Sequence, residues 1–448
     1  MKSNIIIIGA GLCGTLLALR LAQKGYNIIL YERRSDMRKS VISAGRSINL
    51  ALSDRGIKGL ELVGLTEKAR DLSIPMTGRN IHSLSGETTF VHYSGRKGEW
   101  INSISRGGLN SLLMDEAENT GLVTIHFDTE CIVINIETEE VKLYNSISKE
   151  EFIARGTVVF GTDGYSSSVR NAIMGHSQKY RFDFSQKYLD TGYKELEIPA
   201  GQDGAFRLDK NSLHIWPRQG FMMIALPNLN GSFTVTLFLP FEGEFSFSRL
   251  STDEEILTFF NKHFPTAMVL MPELLDDFRS NPTSALCTIK CMPWQIDGKF
   301  LLMGDAAHAV VPFYGQGMNA SFEDVVVLDR LIDEYTGDWS VILSEYQRIR
   351  KPDTDAIADL AIENQYEMRD ATSDPVFLLK RKIELQLEQN YPEYYSKYSM
   401  VTFRDDLPYR MAMEKGRAQD TILMDYAKTV MHTEQVDFPY LINKLKNL

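Results

Sequence analysis

The sequence predicts an α/β fold: a parallel-sheet domain, interrupted by an inserted β-sheet and followed by a helical region. Three observations carry that expectation. The apolar run Asn4-Ile5-Ile6-Ile7-Ile8 leads directly into Gly9-Ala10-Gly11-Leu12-Cys13-Gly14. A second apolar run, Tyr26 to Tyr31, closes on the acid Glu32. Far downstream, Thr157 to Phe160 and Phe300 to Met303 end in Gly161-Thr162-Asp163-Gly164 and Gly304-Asp305. Short continuous β-branched runs fit strands of a parallel sheet covered on both faces. Because the later strands must return to the first sheet, the segment between them is inserted.

The elements follow in order. Thr15 to Lys24 has helical character and Gly25 breaks it. Residues 40–75 mix helix with irregular loop around Gly45-Arg46-Ser47, and 79–100 alternate loosely as short strands. Gly107 to Glu118 predicts a helix; Val123 to Phe127 and Cys131 to Ile134 predict strands. Residues 181–285 are strand-rich and aromatic, a separate sheet layer. Asn319 to Asp359 has a helical period, and the chain from Ala361 is mostly helical. The expected division is a discontinuous nucleotide domain (1–70, 101–180, 286–360), a β-rich substrate domain (71–100, 181–285) and a C-terminal helical region (361–448).

A length of 448 residues fits two or three folding units. With 44% hydrophobic and 24% charged residues the chain is an ordinary globular protein, which excludes disordered, collagenous and disulfide-scaffold classes. Lys and Arg number 48 against 59 Asp and Glu, and the net charge of −11 argues against nucleic acid as partner. The four cysteines (Cys13, Cys131, Cys287, Cys291) form no CxxC pair, so reduced thiols and no metal site are expected. Lys2 and the run Ile5 to Leu19 imitate a signal peptide, but the spaced glycines and Arg20 argue against one. No stretch reaches the roughly 18 apolar residues of a membrane span. A cytoplasmic chain without a membrane anchor is expected.

Gly9-x-Gly11-x-x-Gly14 between strand and helix predicts a dinucleotide site. The first glycine permits the turn, the second a close approach of pyrophosphate, the third helix–strand packing. The helix N-terminus offers free N–H groups to the phosphates. Glu32, 18 residues past Gly14, can accept from both ribose hydroxyls and would repel a 2′-phosphate, which favours FAD or NAD. Asp305, at a strand end, suits a ribityl hydroxyl. The turn Gly315-Gln316-Gly317-Met318-Asn319 before a helix can cradle a flavin ring, its positive end stabilising charge on the reduced ring. Asp163-Gly164, followed by Ser166, Ser167, Ser168 and Arg170, is the third motif of the set.

Together these motifs resemble those of the class A flavin monooxygenases, the para-hydroxybenzoate hydroxylase-like group. The resemblance implies a glutathione-reductase-like Rossmann domain, with the third motif serving both FAD and the nicotinamide donor. Arg106 is similar to the family arginine near the FAD phosphates. No second GxGxxG occurs, so NADPH is expected as a transient co-substrate. Longer blocks resemble the kynurenine 3-monooxygenase family: Gly45 to Ser53, Ile81 to Gly86, His214 to Arg218, Phe221 to Pro227, Pro312 to Asn319 and Tyr398 to Phe403.

That resemblance implies hydroxylation of L-kynurenine by O2 to 3-hydroxy-L-kynurenine through a flavin C4a-hydroperoxide, in tryptophan degradation and NAD or quinolinate precursor supply. It places the substrate carboxylate on Arg79 and Tyr93, assisted by Asn364 and Tyr398. Taken alone, Arg79 reads as a solvated surface arginine and the tyrosines as core. A guanidinium fork with phenol and amide donors suits a buried carboxylate. Leu213, Ile224, Leu226, Pro312 and Phe313 are expected as apolar walls. No acid–base residue is expected, because the flavin carries the chemistry and the aniline nitrogen activates its own ring; His308 is assigned no proton transfer. Gln365-Tyr366 replaces the family's usual Tyr-Ile beside Asn364. Animal members carry a C-terminal membrane anchor; none is expected here. The helical tail is expected to cover the site, to form a homodimer contact, or both. Two other readings stand beside this one: a class A hydroxylase of a phenol or quinone precursor, and a non-catalytic relative like the GDP-dissociation inhibitors. Gly304-Asp305 and Gly315-x-Gly317 favour a retained flavin over the latter.

Overall fold

A computed structural model describes residues 4–39, 49–369, 374–446 and 448. The expected block at Gly45-Arg46-Ser47-Ile48 lies outside them; its continuation from Asn49 lies inside. The strand Asn4–Ile8 sits at the centre of a six-stranded sheet, between Val158–Gly161 on one side and Asn27–Tyr31 on the other, all parallel. Val123–His126 extends the sheet beyond Asn27–Tyr31, and Phe300–Leu302 extends it beyond Val158–Gly161. Ile5 through Ile8 are almost entirely buried, as a strand covered on both faces requires.

Register sets the site. Ile8 lies opposite both Gly161 and Tyr31, and Gly161 opposite Leu302. The carboxyl ends of four strands therefore deliver Gly9, Glu32, Thr162-Asp163 and Gly304-Asp305 to one edge. The chain reverses its strand order on either side of Asn4–Ile8, the position where open α/β sheets bind ligands.

The inserted layer is a seven-stranded sheet in the order Ser284–Met292, Asp183–Ile198, Phe233–Pro240, Phe221–Pro227, Ser212–Arg218, Gly78–His82, Thr88–His92. Residues 181–285 are strand-rich, as the sequence predicts. They also form the helices Asp253–His263, Pro265–Met268 and Leu274–Ser280. These bury Phe259, Phe260, Phe264 and Phe278 against Trp216, Phe221 and Leu237. Aromatic density masks the helical period here, although Thr252 and Glu255 form a capping box. The strands Glu140–Asn145 and Glu151–Ala154, absent from the sequence reading, pair antiparallel beside Thr129–Asn135.

The tail forms the helices Pro375–Asn390, Lys397–Phe403, Tyr409–Ala427 and Phe438–Leu445. Arg55 ties it to the first domain. Its buried guanidinium donates to the carbonyls of Val401 at 2.9 Å and Arg404 at 2.8 Å, pairs with Glu323 at 2.7 Å and lies 3.9 Å from the Tyr409 ring centroid. No helix among the described residues is long and apolar enough to cross a membrane.

His82 ends the strand that carries Arg79. Its Nε2 lies 2.9 Å from His214 Nδ1, and it stacks on Trp216 at 4.3 Å. Burial, with His214 and Arg218 nearby, lowers its pKa to about 4. The unfolded chain thus binds a proton on His82 that the native state refuses. Stability is full above the unfolded value near 6.5 and falls as pH drops toward 4. Urea unfolding from pH 7.5 to 4.5 should show this slope, and His82→Asn should flatten it.

Candidate active site

The cofactor end is built by close approach of backbones. A Cβ on Gly14 would lie 2.0 Å from the Gly9 carbonyl oxygen and 2.5 Å from Thr162 Oγ1; one on Gly9 would lie 2.7 Å from the Thr162 carbonyl oxygen. Thr162 Oγ1 donates at this junction, 2.9 Å from Ile8 O and 2.8 Å from Gly9 O. Gly11 by contrast faces open space. It caps the helix Leu12–Gln23 with no side-chain hydrogen bond, so the first N–H groups there have no side chain to satisfy them. Most other helices of comparable length carry a capping side chain, for example Ser105, Ser167, Thr252 and Asp374. The helix Gly317–Glu334, behind Gly315, likewise has no capping side chain.

Glu32 is buried, and its carboxylate accepts from Ala10 N at 2.9 Å and from Arg34 N and Nε at 3.0 and 2.7 Å. Burial works to raise its pKa, but Arg34 and the Ala10 amide outweigh it and keep the group ionised. Asp163 accepts from Ser168 N at 2.7 Å through Oδ2, while its buried Oδ1 has no partner among the described residues. Burial raises its pKa. Asp305 is exposed and has no hydrogen-bond or salt-bridge partner among the described residues. Gly304 packs on the first helix, its Cβ position 3.1 Å from Cys13 Sγ. Unused carboxylate oxygens, an open glycine and two uncapped helix ends form a cradle that fits the hydroxyls, phosphates and ring edge of FAD. Asn319 is a clip within it: Oδ1 accepts from Ser53 N, and Nδ2 donates to Ala51 O and Gly315 O. Met318 is buried beside it. Arg106 opens the helix Arg106–Asn119 and is exposed, without an ion pair among the described residues.

The second half of the site is a cavity of about 50 Å³ between the inserted sheet and the tail. Arg79, Asn364 and Tyr398 line it, with Tyr314, Glu367 and Lys397. Tyr93 lies behind, its ring stacked on Tyr398 at 5.7 Å. The Arg79 guanidinium lies 5.0 Å from the Tyr93 ring centroid and 4.5 Å from that of Tyr398. Arg79 Nε and the Tyr93 hydroxyl are buried without a hydrogen-bond partner among the described residues. Burial disfavours the charge on Arg79, but the two phenols outweigh it and hold its pKa up. Burial also drives the Tyr93 phenol far above its ordinary value, so it stays a donor. Asn364 is buried, and its amide nitrogen already donates to Phe313 O at 2.6 Å and contacts Met368 Sδ at 3.4 Å. Gln365 beside it is buried and Tyr366 is exposed. Of the expected walls, Leu226 and Phe313 are buried in the adjacent apolar cluster, Leu213 and Ile224 pack against it, and Pro312 is exposed.

Sequence reasoning missed the charged floor of this cavity. Lys397 pairs with Glu367 and Asp420, each at 2.6 Å, Lys380 with Glu384 and Asp420, and Arg381 with Glu384 at 2.7 Å. The i,i+4 spacing of Lys380 and Glu384 was readable; the longer pairings were not. Tyr314 was also missed as a lining residue, though it lies inside the quoted Pro312–Asn319 block; it stacks on Tyr398 at 5.5 Å.

Comparison with known proteins adds to this geometry. Residues 2–361 match the FAD binding domain family. A kynurenine 3-monooxygenase of Myxococcus xanthus is 45% identical over 97% of this chain and 93% of its own length. One of Flavobacterium psychrophilum is 44% identical over 97% of both chains. Among solved structures, the tetrameric form of 2-methyl-3-hydroxypyridine-5-carboxylic acid oxygenase superposes with a TM-score of 0.67 at 19% identity, covering 86% of this chain and 97% of that one. That likeness concerns the fold.

The Gly9–Gly14–Thr162 contact yields a test. Gly14→Ala must push the helix from the sheet edge, since the clash is with backbone. The variant should lose several kcal/mol of stability, on the order of an overpacked core, and should elute without flavin colour. Gly11→Ala, with open space around it, should unfold at the parent temperature.

Proposed function

The chain belongs to the kynurenine 3-monooxygenase family, and from that premise we infer which of its residues serve the reaction. It is an FAD-dependent monooxygenase that hydroxylates kynurenine, with O2 and NADPH as co-substrates. The redox chemistry, hydride acceptance from the nicotinamide and activation of O2, is supplied by bound FAD.

The protein binds, orients and excludes water. Gly9, Gly11 and Gly14 receive the pyrophosphate at a helix N-terminus, and Glu32 the adenosine ribose. Arg106, Asp163 and Asp305 serve the phosphates and ribityl chain; Gly315, Gly317, Met318 and Asn319 shape the ring edge. Arg79 and Tyr93 take the substrate carboxylate, with Tyr398 and Asn364 completing the seat. The single observation that carries this reading is the Arg79 guanidinium, half-buried on the cavity wall with its Nε buried and unpartnered, and with no carboxylate within ion-pair distance among the described residues. A partly desolvated cation in that condition calls for an anion from outside.

The aryl ring of kynurenine then lies toward the apolar cluster of Leu226, Phe238 and Phe313. The aniline nitrogen makes the ring carbon ortho to it nucleophilic, so no protein base is needed to give the 3-hydroxy product. His308 fits that view, since Asp324 occupies its Nε2 at 2.6 Å. Residues 1–70, 101–180 and 286–360 are proposed to serve the cofactor, 71–100 and 181–285 the substrate, and 361–448 to cover the site. A cytoplasmic location and a homodimer contact through the tail are proposed on the sequence alone.

Arg79→Ala should raise the kynurenine KM about a hundredfold, the equivalent of roughly 3 kcal/mol for a charge-assisted pair, and leave FAD bound. Steady-state NADPH oxidation with flavin absorbance checks both. Saturation by kynurenine at the parent concentration would remove Arg79 from the seat.

A further inference from the structure

We infer that Asp324 is a positioning residue for the turn Gly304–His308, fixing the place of the Asp305 carboxylate. Asp324 is fully buried on the helix Gly317–Glu334. It receives three donors from two sides. Gly304 N donates to Oδ2 at 3.1 Å, His308 Nε2 lies 2.6 Å from the same oxygen, and Arg350 Nε donates to Oδ1 at 2.8 Å. The turn is thus gripped at its first and last residues by one carboxylate.

Its middle is gripped from the other side. Arg170 donates to Ala306 O at 2.9 Å, and the Cys291 thiol to Ala307 O at 3.3 Å. Gly304 itself has φ +56°, a conformation that needs support from its surroundings. Asp305 is the member of the turn whose side chain is exposed and unpartnered. A carboxylate that must meet a cofactor hydroxyl gains from being placed in advance, because the ordering is then complete before the ligand arrives. The grip also reaches the tail. Arg350 pairs with Glu323 at 2.8 Å, and Glu323 pairs with Arg55, which donates to the carbonyls that follow Tyr398. Burial works against the charge on Asp324, but His308 and Arg350 hold its pKa below the ordinary carboxylate value.

The inference rests on the FAD reading, and its test separates the two. Asp324→Asn keeps the shape but leaves one oxygen to accept, so an NH2 group faces either Arg350 Nε or both donors of the turn, and the grip is broken on one side. His308→Phe keeps a ring against Trp294, 5.4 Å away in the parent, and deletes one donor. FAD titration of the apoproteins should show the dissociation constant raised at least tenfold for Asp324→Asn and about threefold for His308→Phe. The visible circular dichroism of the bound flavin should change in both, and the kynurenine KM at saturating FAD should stay within twofold of the parent. If Asp324→Asn does not fold, His308→Phe decides. Folded variants that bind FAD with parental affinity and parental visible dichroism would overturn the assignment and leave Asp324 a stability residue. A parent protein that binds no FAD would sink the cofactor reading and the assignment with it.

Discussion

A guanidinium partly withdrawn from water, with no counter-ion among the described residues, is the constraint around which the substrate half of this molecule is arranged. Every other cation at the cavity floor has its carboxylate: Lys397 has Glu367 and Asp420, Lys380 has Glu384 and Asp420, and Arg381 has Glu384. Arg79 has two aromatic faces in their place. Cation–π contact is worth about 2 kcal/mol when desolvated and, with the phenols, keeps the charge on Arg79, but a ring face leaves its buried Nε without an acceptor. That donor is left for a ligand. The stacking of Tyr93, Tyr398 and Tyr314, and the tail that supplies two of the cavity's walls, follow from the need to shelter that charge and still leave it reachable.

The cofactor half depends on register. Because Ile8, Gly161 and Leu302 are aligned across three parallel strands, glycine turns more than a hundred residues apart meet at one edge. Glu323 and Asp324, adjacent on one helix, then join the halves. Asp324 faces the turn of Asp305, and Glu323 faces Arg55 and the tail. A helix with a half-buried acid followed by a fully buried one is expensive unless both are paired, and here both are.

What was legible in the sequence was local. Strand, glycine turn, helix and acid occupy one stretch of 29 residues, from Asn4 to Glu32, so their order alone implies their meeting. Arg79 was legible only through the surrounding family block; a lone arginine on an alternating strand looks solvated. The ion pairs of the floor join residues 30 and 40 positions apart, Glu367 with Lys397 and Lys380 with Asp420, and no period in the sequence reports them. The helices of 253–280 were hidden because Phe259, Phe260 and Phe264 raise strand character locally while packing as a helical face. Asn364 was found as a cavity residue, but its bond to the Phe313 carbonyl, which limits what it can still donate, belongs to tertiary structure.

The central claim is that Arg79 and the substrate carboxylate are partners, and a thermodynamic cycle tests it most directly. Binding of L-kynurenine, and of the same aryl ketone amine lacking its carboxylate, is measured by perturbation of the flavin spectrum in the parent and in Arg79→Met. The account predicts strong non-additivity: the carboxylate improves binding to the parent and contributes almost nothing to the variant, a coupling well above the ~0.5 kcal/mol expected of independent groups. Equal gains from the carboxylate in both proteins would contradict it and place the carboxylate elsewhere.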